Sequence, residues 1–128
     1  MSNIVTNGIR VSVKSRFEPG HSFPAKDQYV FSYAILIEND SEYTVQLLRR
    51  HWYIYDSLLS KREVEGDGVI GQQPILTPGE SHRYISWCPF SSEIGMMKGH
   101  FEMIREIDDK KIIVKVPDFT MMATPRCN

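Results

Sequence analysis

The residues best placed to do chemistry lie in Gly66-Asp67-Gly68-Val69-Ile70-Gly71-Gln72-Gln73, whose first six positions spell GxGxxG. In a dinucleotide-binding turn that spacing lets the backbone approach a pyrophosphate at the N-terminus of the helix that follows. No such helix can follow here, because Pro74 comes three residues after Gly71 and Pro78-Gly79 comes soon after that. The stretch therefore reads as a structural connection between strands, with Thr77-Pro78-Gly79-Glu80 suited to a type II turn. A nest of backbone N–H groups could still hold a phosphate without a helix, which keeps a phosphate-containing small ligand at Gly66–Gly71 as an alternative.

Metal ligation has fewer resources. The histidines are His21, His51, His82 and His100, and no pair has HxxxH or CxxC spacing. His100 and Glu102 share a strand face and could touch one divalent ion, although a solvated strand face accounts for them equally well. For catalysis, Cys88 with His82 or His51 is the one pairing to weigh, and no third orienting group accompanies it. Cys88 reads as a small buried or strand-end residue, so no enzyme activity and no cofactor are expected.

Recognition is better provided for. Arg49-Arg50-His51-Trp52 joins forked donors to an aromatic, a composition enriched at protein hot spots. Trp52 is expected in the core, which leaves Arg50 as the contact residue, together with Gly66, Gly68, Gly71, Gln72 and Gln73 of the loop. Met96 and Met97, read as part of a flexible loop, add an adaptable surface. The expected partner is an unidentified protein, with a homodimer through an edge strand as one form of it.

The elements that must position these groups are strands. Ile9, Val11 and Val13 alternate with polar residues, and Tyr29, Phe31, Tyr33, Ile35 and Ile37 share one face of Gln28–Asn39. Val30, Ala34 and Leu36 make that strand's other face partly apolar, which marks a central strand. In Tyr43–Tyr55 the apolar face changes from Val45 and Leu47 to Trp52 and Ile54, so a β-bulge is expected near Leu48–Arg50. Arg62–Glu65 reads as a charged edge strand, and His82–Trp87 as a strand that Cys88-Pro89 ends. Phe90–Gly99 reads as a loop. Phe101–Ile107 and Ile112–Val116 form a hairpin that Pro117 stops, with a short strand over Phe119–Met122. Seven to eight short strands with almost no helix predict an all-β fold, an immunoglobulin or fibronectin type III-like antiparallel β-sandwich.

At 128 residues the chain fits a single domain over 1–128, with a core of about 9–122 and flexible ends at 1–7 and 123–128. Fifteen basic and sixteen acidic residues give a net charge of −1 without runs of either sign, which argues against nucleic acid as a partner. Two cysteines, Cys88 and Cys127, make no disulfide framework. No apolar stretch reaches the length of a membrane span and no signal-peptide pattern is present, so a cytoplasmic location is expected and membrane insertion is not.

Once the strands are placed, five motifs in order resemble the ApaG family: Val45–Trp52 (VQLLRRHW), Val64–Pro74 (VEGDGVIGQQP), Leu76–Glu80 (LTPGE), Gly95–Gly99 (GMMKG) and Val116–Phe119 (VPDF). The resemblance implies a fibronectin type III-like sandwich in a small cytoplasmic bacterial protein, with a genetic association to cobalt resistance and magnesium efflux. ApaG-like domains also occur within larger eukaryotic proteins, an F-box protein and a polymerase-delta-interacting protein among them, where they look like protein-interaction modules. The chain departs from the family at Trp87, where a glycine is usual.

Overall fold

Alternation of apolar and polar residues folds most of the chain into strands, with short 3-10 turns at Pro19–His21 and Pro24–Lys26. The computed structural model describes residues 2–57 and 60–123; Cys127, most of the 123–128 end and the middle of the Asp56–Ser60 turn lie outside them. Among the described residues, nine strands run in the order β1 Ser2–Thr6, β2 Ile9–Phe17, β3 Tyr29–Asn39, β4 Val45–Tyr55, β5 Lys61–Asp67, β6 Ile75–Leu76, β7 Ser81–Phe90, β8 Ile94–Arg105 and β9 Lys110–Met122. One sheet has the order β1-β2-β3-β7 and the other β5-β4-β8-β9, with β6 paired to β4. All the pairings are antiparallel. The expected all-β sandwich is what forms.

The inner faces meet in a core where Phe31, Ile35, Ile37, Leu47, Phe101 and Met121 are fully buried. Trp52 is 3% exposed, as expected of a core residue. Tyr33 and Phe119 both meet it edge-on, with ring centroids at 5.5 and 5.9 Å. β3 lies between β2 and β7, as its two apolar faces require.

The two flanks of the sandwich differ. On one flank the Ser15 hydroxyl donates to Thr120 O at 2.9 Å, and the Lys115 N–H to the Thr6 hydroxyl at 3.3 Å. These bonds tie β1 and β2 to β9. On the other flank the edges of β5 and β7 face each other across an open cleft.

Several sequence expectations need correction. Residues 1–7 are not simply a free end, because Ser2–Thr6 pairs with Ile9–Val13 as β1. The Phe90–Gly99 loop does not exist as such: β7 runs to Phe90 and β8 starts at Ile94. Gly95 and Gly99 suggested a loop, yet they serve close approach. A Cβ on Gly95 would lie 2.3 Å from the Phe90 ring, and one on Gly99 would lie 2.3 Å from His51 O. Pro89 and Pro117 do not end their strands either, for β7 and β9 are edges and a missing N–H costs no ladder bond on an outward side. Pro117 also sits where the β8–β9 register shifts between Met97 and Gly99.

Candidate functional site

The site begins with the bulge. The β4–β8 register shifts between Leu47 and Arg49, which turns Arg50, Trp52 and Ile54 inward and Arg49, His51 and Tyr53 outward. A bulge leaves ladder groups without their usual partners, and here the glycine loop supplies them. Leu48 O accepts from the Gly68 N–H at 2.8 Å and from Gln73 Nε2 at 3.0 Å. Gln46 Nε2 returns a bond to Gln73 O at 3.1 Å. Within the loop, Val69 N–H donates to Gln72 O and Gln72 N–H to Val69 O, at 2.8 and 2.9 Å.

Gly68 has φ +63°, and a Cβ there would lie 2.3 Å from Gln72 O, so only glycine fits. Val69 is buried and anchors the turn, while Gly71 and Gln72 face outward. The N–H groups of Gly68 and Val69 are thus already bonded to Leu48 O and Gln72 O, which takes two donors from the anion nest considered for Gly66–Gly71.

The inward-turned Arg50 is the link between this loop and the cleft. Its Nη1 donates to Asp67 O at 3.1 Å and to Gly68 O at 3.0 Å. Gly66 stands opposite Arg50 in the β4–β5 ladder, and a Cβ on Gly66 would lie 3.1 Å from Nη1. The glycine makes room for the guanidinium. Arg49, on the outer face, takes the Asp67 carboxylate at 2.8 Å, so the two neighbouring arginines serve opposite surfaces.

The cleft between β5 and β7 has a volume of about 610 Å³. Trp52, Ile54, Phe90 and Met97 form apolar walls, with Arg50 and Arg62 also lining the space. Arg62 donates to Pro89 O at 2.7 Å and lies 3.4 Å from Cys88 Sγ and 3.5 Å from the Asp56 carboxylate. Burial alone would raise the Asp56 pKa. Bonds from the N–H and hydroxyl groups of Ser91 and Ser92 outweigh it and hold the carboxyl below its usual range. Burial pushes the Cys88 thiol up despite Arg62, the reverse of what a nucleophile needs.

Two phenols belong to the same neighbourhood. Burial raises the Tyr33 pKa, against a bond to Ser86 and the charge of Arg50. Tyr84 is raised further, chiefly by burial, and its hydroxyl is the buried side-chain polar atom without a hydrogen-bond partner among the described residues.

The structure brings Arg50, Gly66, Gly68 and Gln73 together, but it separates the other candidates. Met97 is 1% exposed and belongs to the core at the cleft, so it is not the mobile contact expected of it. Met96 sits in β8 opposite Tyr55. His100 and Glu102 lie on the outer face of the β5-β4-β8-β9 sheet, beside His51 and Arg49. His100 stacks on His51 at 5.1 Å, and Glu102 pairs with Lys111 at 3.1 Å. Burial and the neighbouring His51 lower the His100 pKa, against Glu102. The His51 ring nitrogens are already 3.1 and 3.0 Å from Glu63 and Glu65. No group of three or more metal-ligating side chains is arranged for an ion among the described residues.

Sequence reasoning missed Tyr33, Arg62, Ser86 and Cys88 as cleft residues. They meet only because β7 and β5 end their sheets on the same flank. The available signal was small and polar Ser86 and Cys88 on the inward face of β7, between Tyr84 and Phe90.

The ApaG domain pattern matches residues 19–105. A Protein ApaG of Ralstonia nicotianae is 41% identical over 118 residues, covering 92% of this chain and 94% of its own. One from Anaeromyxobacter dehalogenans is 44% identical over 106 residues, covering 83% of each. The crystal structure of a protein described as ApaA from Bordetella pertussis superposes with a TM-score of 0.87 at 39% identity, over 93% of this chain and 95% of that one.

Proposed function

The chain belongs to the ApaG domain family, and for this member we propose a non-catalytic binding module that holds another protein along the edge of β7 and in the cleft beside it. One observation carries the reading. β7 is a ten-residue edge strand paired on one side only, to β3, and its outer face exposes Ile85 and Trp87 by 55% and 50%. An unpaired edge with apolar side chains invites another strand, and proteins usually guard such edges with charge. The facing edge β5 is guarded in that way by Lys61, Arg62, Glu63, Glu65 and Asp67. On β7 the guards are Arg83 toward one end and Pro89 toward the other, with Ile85 and Trp87 exposed between them.

The chemistry of the site supports binding over turnover. The cleft's cysteine is held as a thiol by burial, and its arginines are fixed to backbone carbonyls. Any link to cobalt resistance or magnesium efflux then runs through the partner, with no ion held by this domain.

The test is affinity capture from the protein's own cells with wild-type chain and with Ile85→Lys and Trp87→Lys variants of unchanged melting temperature. A discrete partner held by wild type and lost from both variants is expected. Absence of any specific partner, or equal capture by all three chains, would refute the proposal.

A further inference from the structure

We infer that the partner segment carries an acidic side chain, received by Arg50, next to an apolar side chain that enters the cleft. The inference rests on the reading of β7 as the docking edge and adds the chemistry of what docks there. Arg50 is half-buried, yet no carboxylate of the described residues lies within 4.0 Å of it, whereas Arg49 and Arg62 both have one. Its hydrogen bonds all use Nη1, which leaves Nε and Nη2. Backbone carbonyls fix the fork in place without cancelling its charge. A pre-oriented guanidinium of this kind suits a two-oxygen acceptor.

The surroundings strengthen the attraction and limit the charge of the ligand. Trp52, Ile54, Val64 and Met97 wall the space beside Arg50, so the field there is less screened than at an open surface. The charge of Arg62 is offset by Asp56 at 3.5 Å, and neither Asp56 nor Asp27, the carboxylates lining the cleft, lies within 4.0 Å of Arg50, which leaves that one cation unpaired. One cation among apolar walls matches a monoanion with an apolar neighbour; a polyphosphate needs several cations.

The test uses the full chain and a library of octapeptides acetylated and amidated at their ends, so that side chains supply every carboxylate. Enriched peptides are expected to carry one Asp or Glu beside an aromatic or large aliphatic residue. Changing that Glu to Gln in the peptide should weaken binding roughly tenfold or more, the range of a charge-assisted bond. This arm needs no protein variant. In Arg50→Met the Glu and Gln peptides should bind alike, a loss of preference that general weakening would not mimic.

Enrichment without an acidic residue, or an acid preference that survives in Arg50→Met, overturns the inference. Peptides lost on Trp87→Lys but indifferent to charge would overturn it while leaving the β7 edge as the docking site. No enrichment at all would sink both. Saturable binding of inorganic phosphate without acidic-peptide enrichment would reassign Arg50 to a small anion and equally overturn it.

Discussion

Gly99 sits where β4 and β8 press together, and replacing it with alanine measures that pressure. A Cβ at this position would lie 2.3 Å from His51 O and 2.7 Å from Trp52 Cε3. Ordinary carbon–oxygen contacts are about 3.3 Å or longer, so roughly 1 Å must be found by separating the strands or moving the buried indole. Forced overpacking of this kind costs about 1–3 kcal/mol and sometimes more. Reduced freedom of the unfolded chain returns about 0.4–1 kcal/mol. The net expectation for Gly99→Ala is a loss of about 1–2 kcal/mol in urea unfolding, with a melting temperature lower by roughly 4–8 °C for a domain of this size. Gly20→Ala is the control, since nothing lies within 4 Å of its would-be Cβ; it should stay within about 0.5 kcal/mol of wild type. Equal stability of the two variants would refute the close-approach account of Gly99.

Other outcomes follow from the same contacts. Arg50→Met should cost about 1–2 kcal/mol through the lost bonds to Asp67 O and Gly68 O, as read by urea unfolding. It should also move the tyrosine absorbance titration to higher pH, because Arg50 lowers the burial-raised pKa of both Tyr33 and Tyr84. The Asp56 pKa is depressed on folding, so its stabilisation is full above the unfolded value near 3.8 and is lost as pH falls through the folded value. Asp56→Asn should therefore flatten the acid side of the stability–pH profile, and an unchanged acid limb would contradict the Ser91 and Ser92 bonds. In a Cys127→Ser background, Cys88 should react with a disulfide reagent at least about tenfold faster after unfolding, since burial both hides the thiol and raises its pKa.

Much of the fold was legible because side-chain periodicity reports which face is buried. The double-faced β3, the charged edge β5 and the bulge at Leu48 were all visible as departures from, or extensions of, alternation. The Thr77–Glu80 turn was legible too, with Glu80 N–H donating to Thr77 O at 2.9 Å and Gly79 at φ +89°. What misled was punctuation. Gly95, Gly99, Pro89 and Pro117 resemble strand breakers, but two of them relieve cross-strand crowding and two lie on edge strands. Local sequence does not say which strand is an edge or how closely two strands meet.

The candidate site was legible only in part. Arg50 and the loop glycines stood out by composition, and their mutual contact follows from the bulge. The cleft depends on β5 and β7, far apart in sequence, ending their sheets on one flank. Met97 was misassigned because a methionine between glycines reads the same in a loop as in a tight strand.

The central claim is that partners meet this chain at the β7 edge. Its most direct test is photocrosslinking in the protein's own cells, with a photoreactive phenylalanine analogue at Trp87 and, separately, at Ile113, 48% exposed on the distant edge strand β9. A discrete crosslinked partner is expected from position 87, weakened by Arg50→Met, and none from position 113. Crosslinks from 113 alone, or from neither position, would contradict the claim.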